Sequence, residues 1–216
     1  MEDVNKLNTK YIPYFPIFGL GLYIIAFIFA ASAYPGGSAN YPHANGYSFY
    51  HNFLCDTMNP ITESGIINEA RFMAIISHLI LSFTMIFFFY TLPKIFSVKN
   101  RNTILIASFG IASMTVFIFM YTEYHDLIVT ITGVLGAIAL IPFFIELRHF
   151  KNKGLKQLAY LCYVLSIIVF FIFETKIGVY YLPFLQKITF IADAWWVIWS
   201  CLFVINKNKA SLKLIQ

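Results

Sequence analysis

Six long apolar runs, almost free of charge, constrain this chain more than any other feature. They fall at roughly 14–34, 69–91, 103–122, 126–146, 157–175 and 183–205. Each is close to the ~20 residues a helix needs to cross ~30 Å of hydrocarbon. The expected fold is therefore an all-α, polytopic membrane protein, a single domain built as a six-transmembrane-helix bundle. Composition agrees. The 216 residues are 59% hydrophobic and only 12% charged, and 24 are Phe, whereas a soluble domain carries about 25% charged residues. The mean hydropathy is +0.72. The runs use so much of the length that no second, soluble domain fits.

The ends of the runs carry the punctuation. Pro93 closes the second and Pro183 opens the sixth, positions that suit a residue without a backbone donor. Ala31-Ser32-Ala33 resembles a signal-peptidase site. The run before it is long for a signal sequence and little charge precedes it, so the span is expected to be retained.

The net charge of +5 is a topology signal rather than a nucleic-acid footprint. Lys6 and Lys10 precede the first span. Lys94, Lys99 and Arg101 lie between the second and third, and Arg148, Lys151, Lys153 and Lys156 between the fourth and fifth. Lys207, Lys209 and Lys213 follow the sixth. Only Arg71, Lys176 and Lys187 remain for the opposite side. Positive residues stay inside, so both termini are expected in the cytoplasm of a bacterial inner-membrane protein. The 35–68 loop and the 123–126 and 176–182 turns then face outward. Asp56, Glu63, Glu69, Glu123, Asp126 and Glu174 gather on that outer side.

Polar residues at membrane depth are costly unless partnered or wetted, so they lead the search for a site. Arg71, His78 and Ser82 share one face of the second span, and Gln186, Thr189, Asp193, Trp196 and Ser200 one face of the sixth. His78 and Asp193 both lie about ten residues, roughly 15 Å, below the outer end. A His–Asp pair pointing into a shared polar interior is the expected arrangement. A hydrogen bond that only fixes helix registry remains the alternative. Arg71 is expected either to attract an anionic head group or to pair with Glu123 or Asp126 across the rim. His125-Asp126 either joins the site or only favours the N-terminus of the fourth span. Tyr163 on the fifth span offers a hydroxyl to a ligand or to a neighbouring helix, and Gly133, Gly136 and Ala137 allow close helix approach.

The long loop has turn signals at 35–37 and 59–60. Between them, 47–58 predicts a short interfacial helix with Phe49, Tyr50, Phe53 and Leu54 turned to the membrane and Asn52 and Asp56 on another face. It acts either as a lid or as the support of a site containing His51 or Asp56. The three cysteines form no disulfide or zinc-ribbon pattern, and no nucleotide-binding glycine motif occurs.

Several elements together carry a resemblance. These are Tyr34-Pro-Gly-Gly at the end of the first span, Asn52-x-x-x-Asp56 in the loop, and His125 opening the fourth span. Gln186-Lys187 followed by Trp195, Trp196 and Trp199 completes the set. Over nearly its whole length the chain resembles an uncharacterised six-span bacterial membrane family of the domain-of-unknown-function type. That family is similar in layout to the DRAM-like (autophagy modulator) proteins. A more distant similarity links it to the CREST hydrolases, which include alkaline ceramidases and adiponectin-type receptors. The latter implies that Ser77-His78, Asp56 and His125 stand in for parts of a zinc-holding set that cleaves lipid amides. Against it, there are six spans rather than seven and no His-x-x-x-His in the last span.

A catalytic zinc needs three protein ligands and an open position, for which His51, Asp56 and His125 are the candidates. Catalytic candidates are His78, His125, Asp126 and Asp193. Ligand-contact candidates are Arg71, Glu123, Trp196, Asn52 and Tyr163. The expected function is an outward-open polar cavity for a lipid-like or small-molecule ligand. The alternatives are a metal-dependent intramembrane hydrolase of a lipid amide or ester, and a structural or assembly subunit.

Overall fold

A computed structural model describes residues 11–96 and 98–213. Lys6 and Lys10, used above in the topology argument, lie outside them. Six long helices follow one another: α1 (Tyr14–Ser32), α2 (Arg71–Thr91), α3 (Arg101–Phe117), α4 (His125–Leu147), α5 (Lys153–Thr175) and α6 (Leu182–Lys213). No strand is formed among the described residues, only two isolated bridges, Gly36 with Asn45 and Ile61 with Ile67. Among the described residues five helices are long and apolar enough to cross a membrane; α3, with 17 residues, is shorter.

The helix limits have local causes. Pro93 sits in the 3-10 turn Leu92–Ile95 that ends α2. Asn100 caps α3: its side chain accepts from the Thr103 amide, and the Thr103 hydroxyl accepts from the Asn100 amide. This reciprocal pair satisfies two otherwise orphaned donors and starts the helix at Arg101. Beyond Phe117 the chain goes on in tighter turns, with Phe119, Met120 and Thr122 each bonding three residues back. That is why the α-helix stops five residues short of the limit read from hydropathy.

The surface pattern is inverted relative to a soluble protein. On α4 the exposed apolar residues are Leu127, Ile131, Val134, Ile138, Ile141 and Ile145, spaced three and four apart, which is one stripe of a helix. On α2, by contrast, Ser77, His78, Ser82, Thr84 and Thr91 are buried. Apolar side chains outside and hydroxyls inside suit a helix bundle in lipid, where polar groups find partners only within the protein.

The chain divides into two compact units. The first comprises the stretch ending at Leu20, Leu81–Gln157 and the stretch from Trp195 onward. Within it, α3 and α4 form a close hairpin. The Ser113 hydroxyl donates to the Thr132 carbonyl at 2.9 Å, and a Cβ on Gly136 would lie 3.7 Å from Ser113 Oγ, ordinary van der Waals contact. Asn100 and Asn102 both donate to Glu146 Oε1, at 2.8 and 2.6 Å. Trp196 lies edge-on to Phe88 and Phe143, with ring centres 5.4 and 5.5 Å away.

The second unit comprises Gly21–Ile80 and Leu158–Ala194, and so contains the whole long loop. The expected helix over 47–58 is not formed. A turn at 49–51 leads to a 3-10 helix, Cys55–Met58. Side chains compete here with helical bonding. Asn52 Oδ1 accepts from the Ser48 amide and Asp56 Oδ2 from the Phe53 amide. Phe49 and Tyr50 are exposed.

Candidate functional site

The loop is a built structure, and its elements meet at Asn52. Gly36 and Gly37 have φ of +134° and +86°, and a Cβ on either would overlap backbone atoms of Ala44 or Ser64. Only glycine can make this turn. The turn presents the Gly37 carbonyl, which accepts from the Tyr34 hydroxyl at 3.0 Å and from Asn52 Nδ2 at 2.7 Å. Asn52 Nδ2 also donates to Asp56 Oδ2 at 2.9 Å. The amide group thus has both its donor hydrogens engaged, and Asn52 is 1% exposed.

Two α6 residues fasten this loop. Gln186 Oε1 accepts from the Leu54 amide at 2.9 Å. Lys187 Nζ donates to the Asn52 carbonyl, and to the Pro183 carbonyl at 3.0 Å. The ammonium also lies over the rings of Tyr47 and Phe49, 5.5 and 5.4 Å from their centres. Carbonyl dipoles and ring faces together offset the cost of burying this charge. At the other end of the loop, Asn68 Nδ2 donates to the Thr57 and Asn59 carbonyls, both at 2.8 Å, and Arg71 Nε to the Met58 carbonyl at 3.1 Å. Arg71 is thereby a brace for the 3-10 turn.

Burial pushes the Asp56 carboxyl up to about 6, against the pull of its hydrogen bonds from Asn52 and Phe53. The charge of Glu63 adds to the rise and that of Lys187 opposes it. Burial, with the negative charge of Asp56 next in order, also raises the Tyr34 and Tyr47 hydroxyls.

The remaining candidates divide between the units. In the second unit His78 is buried at 4% exposure, between the equally buried Ser77 and Ser82 in sequence. Asp193 has the Cys162 thiol of α5 as a neighbour. Cys162 was not foreseen as its neighbour, because a thiol inside an apolar run reads as packing. Tyr163 is half-buried. In the first unit His125 Nδ1 lies 2.9 Å from Asp126 Oδ1, while His125 Nε2 is buried without a partner. Asp126 stands in the first turn of α4, where a carboxylate is favoured, and Glu123 is exposed. Trp196 Nε1 and Ser200 Oγ are buried without partners. Among the described residues no group of three or more His, Cys, Asp or Glu side chains lies close enough to hold a metal ion. His51, Asp56 and His125 as a zinc set gain no support from this arrangement.

One recess opens in the second unit, beside the fastened loop. It has a volume of about 260 Å³ and is lined by Tyr50, His51, Tyr180, Tyr181 and Phe184. Sequence reading missed it, since its walls come from segments 130 residues apart. The signal was present as a density of aromatic residues in both outer segments. No family model matches the chain, and no curated protein or solved structure is significantly similar to it.

Proposed function

We propose that the chain is a six-span integral protein of the bacterial cytoplasmic membrane, with both termini inside, that holds a lipid-like or small-molecule ligand at its outward, loop-bearing end. The observation that carries this reading is the open recess beside a loop fixed by buried polar contacts. A loop that merely joined two helices would not require a buried lysine and asparagine to hold its shape, whereas a binding surface requires that rigidity.

Six spans are supported by the dimensions of α3. Its 17 residues reach about 25 Å, and the turns after Phe117 lengthen the path enough for a ~30 Å core. The distribution of Lys and Arg supports the orientation. The role of the loop is supported by its internal bonding: Tyr34, Gly37, Asn52, Asp56 and Lys187 form one hydrogen-bonded network, and Gln186 fastens the adjoining Leu54 amide.

Two measurements test the reading. Cysteines placed at the exposed Asn45 and Lys99 should label oppositely with a membrane-impermeant maleimide in intact cells, Asn45→Cys reacting and Lys99→Cys only after permeabilisation. Native mass spectrometry of the protein released from nanodiscs should show a retained lipid or small molecule, diminished in Asn52→Ala. The reverse labelling would refute the orientation. A protein that retains nothing and takes up nothing from a lipid extract would refute the binding role.

A further inference from the structure

We propose that the aromatic recess is a site for a quaternary ammonium group, the trimethylammonium of a choline-type head group or solute; this rests on the ligand-binding reading above and names its chemistry. All five residues that line the recess are aromatic or imidazole rings. Ring faces carry negative potential and attract a cation within ~6 Å.

Contacts within the protein arrange these rings. Tyr50 stacks on Phe184 with centres 5.4 Å apart and planes 24° apart. Tyr180 stands edge-on to Tyr181 at 5.2 Å. The Tyr180 hydroxyl is hydrogen-bonded to that of Tyr41 at 3.0 Å, and its carbonyl accepts from Asn40 Nδ2 at 2.9 Å. His51 packs against Tyr41 at 4.5 Å. Thus the 176–181 turn and the long loop are joined at the wall of the recess, which lowers the entropic cost of arranging Tyr180 and His51 around a ligand.

The chemistry of the walls selects among ligands. A primary ammonium is strongly hydrated and needs acceptors, which a lining of rings does not supply in number. A trimethylammonium has no N–H to satisfy and keeps its charge. An uncharged apolar group gains little here, because the surrounding lipid is as good a solvent for it. A cation cannot take that alternative, since hydrocarbon excludes it. Neither Lys nor Arg lines the recess; the nearby Lys187 is turned to the Asn52 and Pro183 carbonyls, and Lys176 lies over Phe173. At 260 Å³ the space is below the ~300–1,000 Å³ of sites for whole drug-sized molecules and suits a head group.

The test uses the full chain in a maltoside detergent, which carries no ammonium. Binding of choline, tetramethylammonium and 3,3-dimethylbutan-1-ol, the uncharged isostere of choline, is followed by ligand-observed NMR. Choline and tetramethylammonium should bind, and the neutral isostere at least about tenfold more weakly. Tyr50→Leu and Tyr180→Leu should each weaken choline by about tenfold, with Tyr50→Phe close to wild type. Thermal unfolding of the variants shows whether they are folded. A second arm identifies the source: phosphatidylcholine nanodiscs that displace choline, where phosphatidylethanolamine nanodiscs do not, mark the ligand as a lipid head group. Equal failure of both to compete marks a free solute. Equal affinity for choline and its isostere overturns the cation site while leaving a ligand-binding recess. Absence of binding by all three probes, with no preference for phosphatidylcholine over phosphatidylethanolamine, overturns the quaternary ammonium proposal; retention of another ligand in the mass spectra would then still uphold the broader reading.

Discussion

Lys187, one turn into α6, donates a hydrogen bond to the backbone carbonyl of Asn52, 135 residues earlier in the long loop. The contact turns a lysine that would ordinarily seek water into the fastening of the loop. At 3% exposure its removal leaves the Asn52 carbonyl in the interior without this donor. Lys187→Met keeps the volume and removes the charge. An unsatisfied buried acceptor costs ~1–3 kcal/mol, part of which is returned because the buried charge is gone as well. The expected outcome is a lowered unfolding temperature in detergent, with new protease cleavage confined to the 35–68 loop. An unchanged digestion pattern would show that Gln186 and Asn68 hold the loop without it.

Asp56 makes stability depend on pH in the direction opposite to an ordinary exposed carboxylate in an ion pair. Its folded value, about 6, is above the ordinary 3.8. The folded state therefore holds the proton more tightly than the unfolded chain. The stabilisation that this proton brings is fully present below about pH 4 and is lost as pH rises through about 6. The amplitude is on the order of 3 kcal/mol. Asp56→Asn preserves an oxygen that accepts from Asn52 and Phe53 but cannot titrate. Subtracting the unfolding curve of Asp56→Asn from that of wild type between pH 4 and 7 should reveal a wild-type loss across this window. A flat difference would refute the shift.

Much of this architecture is written in hydropathy. Apolar runs of bilayer length dictate helices, and the prolines at 93 and 183 sit where α2 closes and α6 opens. The limits of α3 were less legible, because the Asn100–Thr103 capping pair and the tight turns after Phe117 act through hydrogen bonds that hydropathy does not register. The loop misled for a related reason. Phe49, Tyr50, Phe53 and Leu54 have helical spacing, but Asn52 and Asp56 bond locally to backbone amides and break the helix. At the candidate site, sequence marked Asn52, Asp56 and Gln186-Lys187 as notable without showing that they touch. Contact across 130 residues is a property of the fold. Lys187 itself read as an end-of-span residue, since nothing local announces that a lysine will meet carbonyls and rings rather than solvent.

Close helix packing in the first unit rests on Gly19. A Cβ there would overlap Thr84 Oγ1, so α1 and α2 approach at that level only because the side chain is a hydrogen atom. Gly21, two residues on, has open space around its Cβ position. Gly19→Val should cost ~1–3 kcal/mol as overpacking forces the helices apart, while Gly21→Ala should be neutral or slightly stabilising from helix propensity. Thermal unfolding of the two variants in the same detergent checks the contrast. Equal effects would mean that backbone freedom, rather than contact with Thr84, governs both positions.

The proximity of Cys162 to Asp193 gives a last test. Asp193 on α6 neighbours a thiol on α5, and in a low-dielectric interior even a weak donor gains weight. Cys162→Ala removes it and leaves a cavity the size of one sulfur. Cys162→Ser replaces it with a stronger donor of similar shape. If a hydrogen bond between them fixes the register of α5 against α6, Cys162→Ala should lower stability by ~1–2 kcal/mol and Cys162→Ser should restore most of that loss. In the background of Asp193→Leu the difference between Ala and Ser at 162 should vanish or reverse, because the acceptor is gone and a hydroxyl would be buried alone. A serine that remains better than alanine in that background would show that Cys162 acts through another partner.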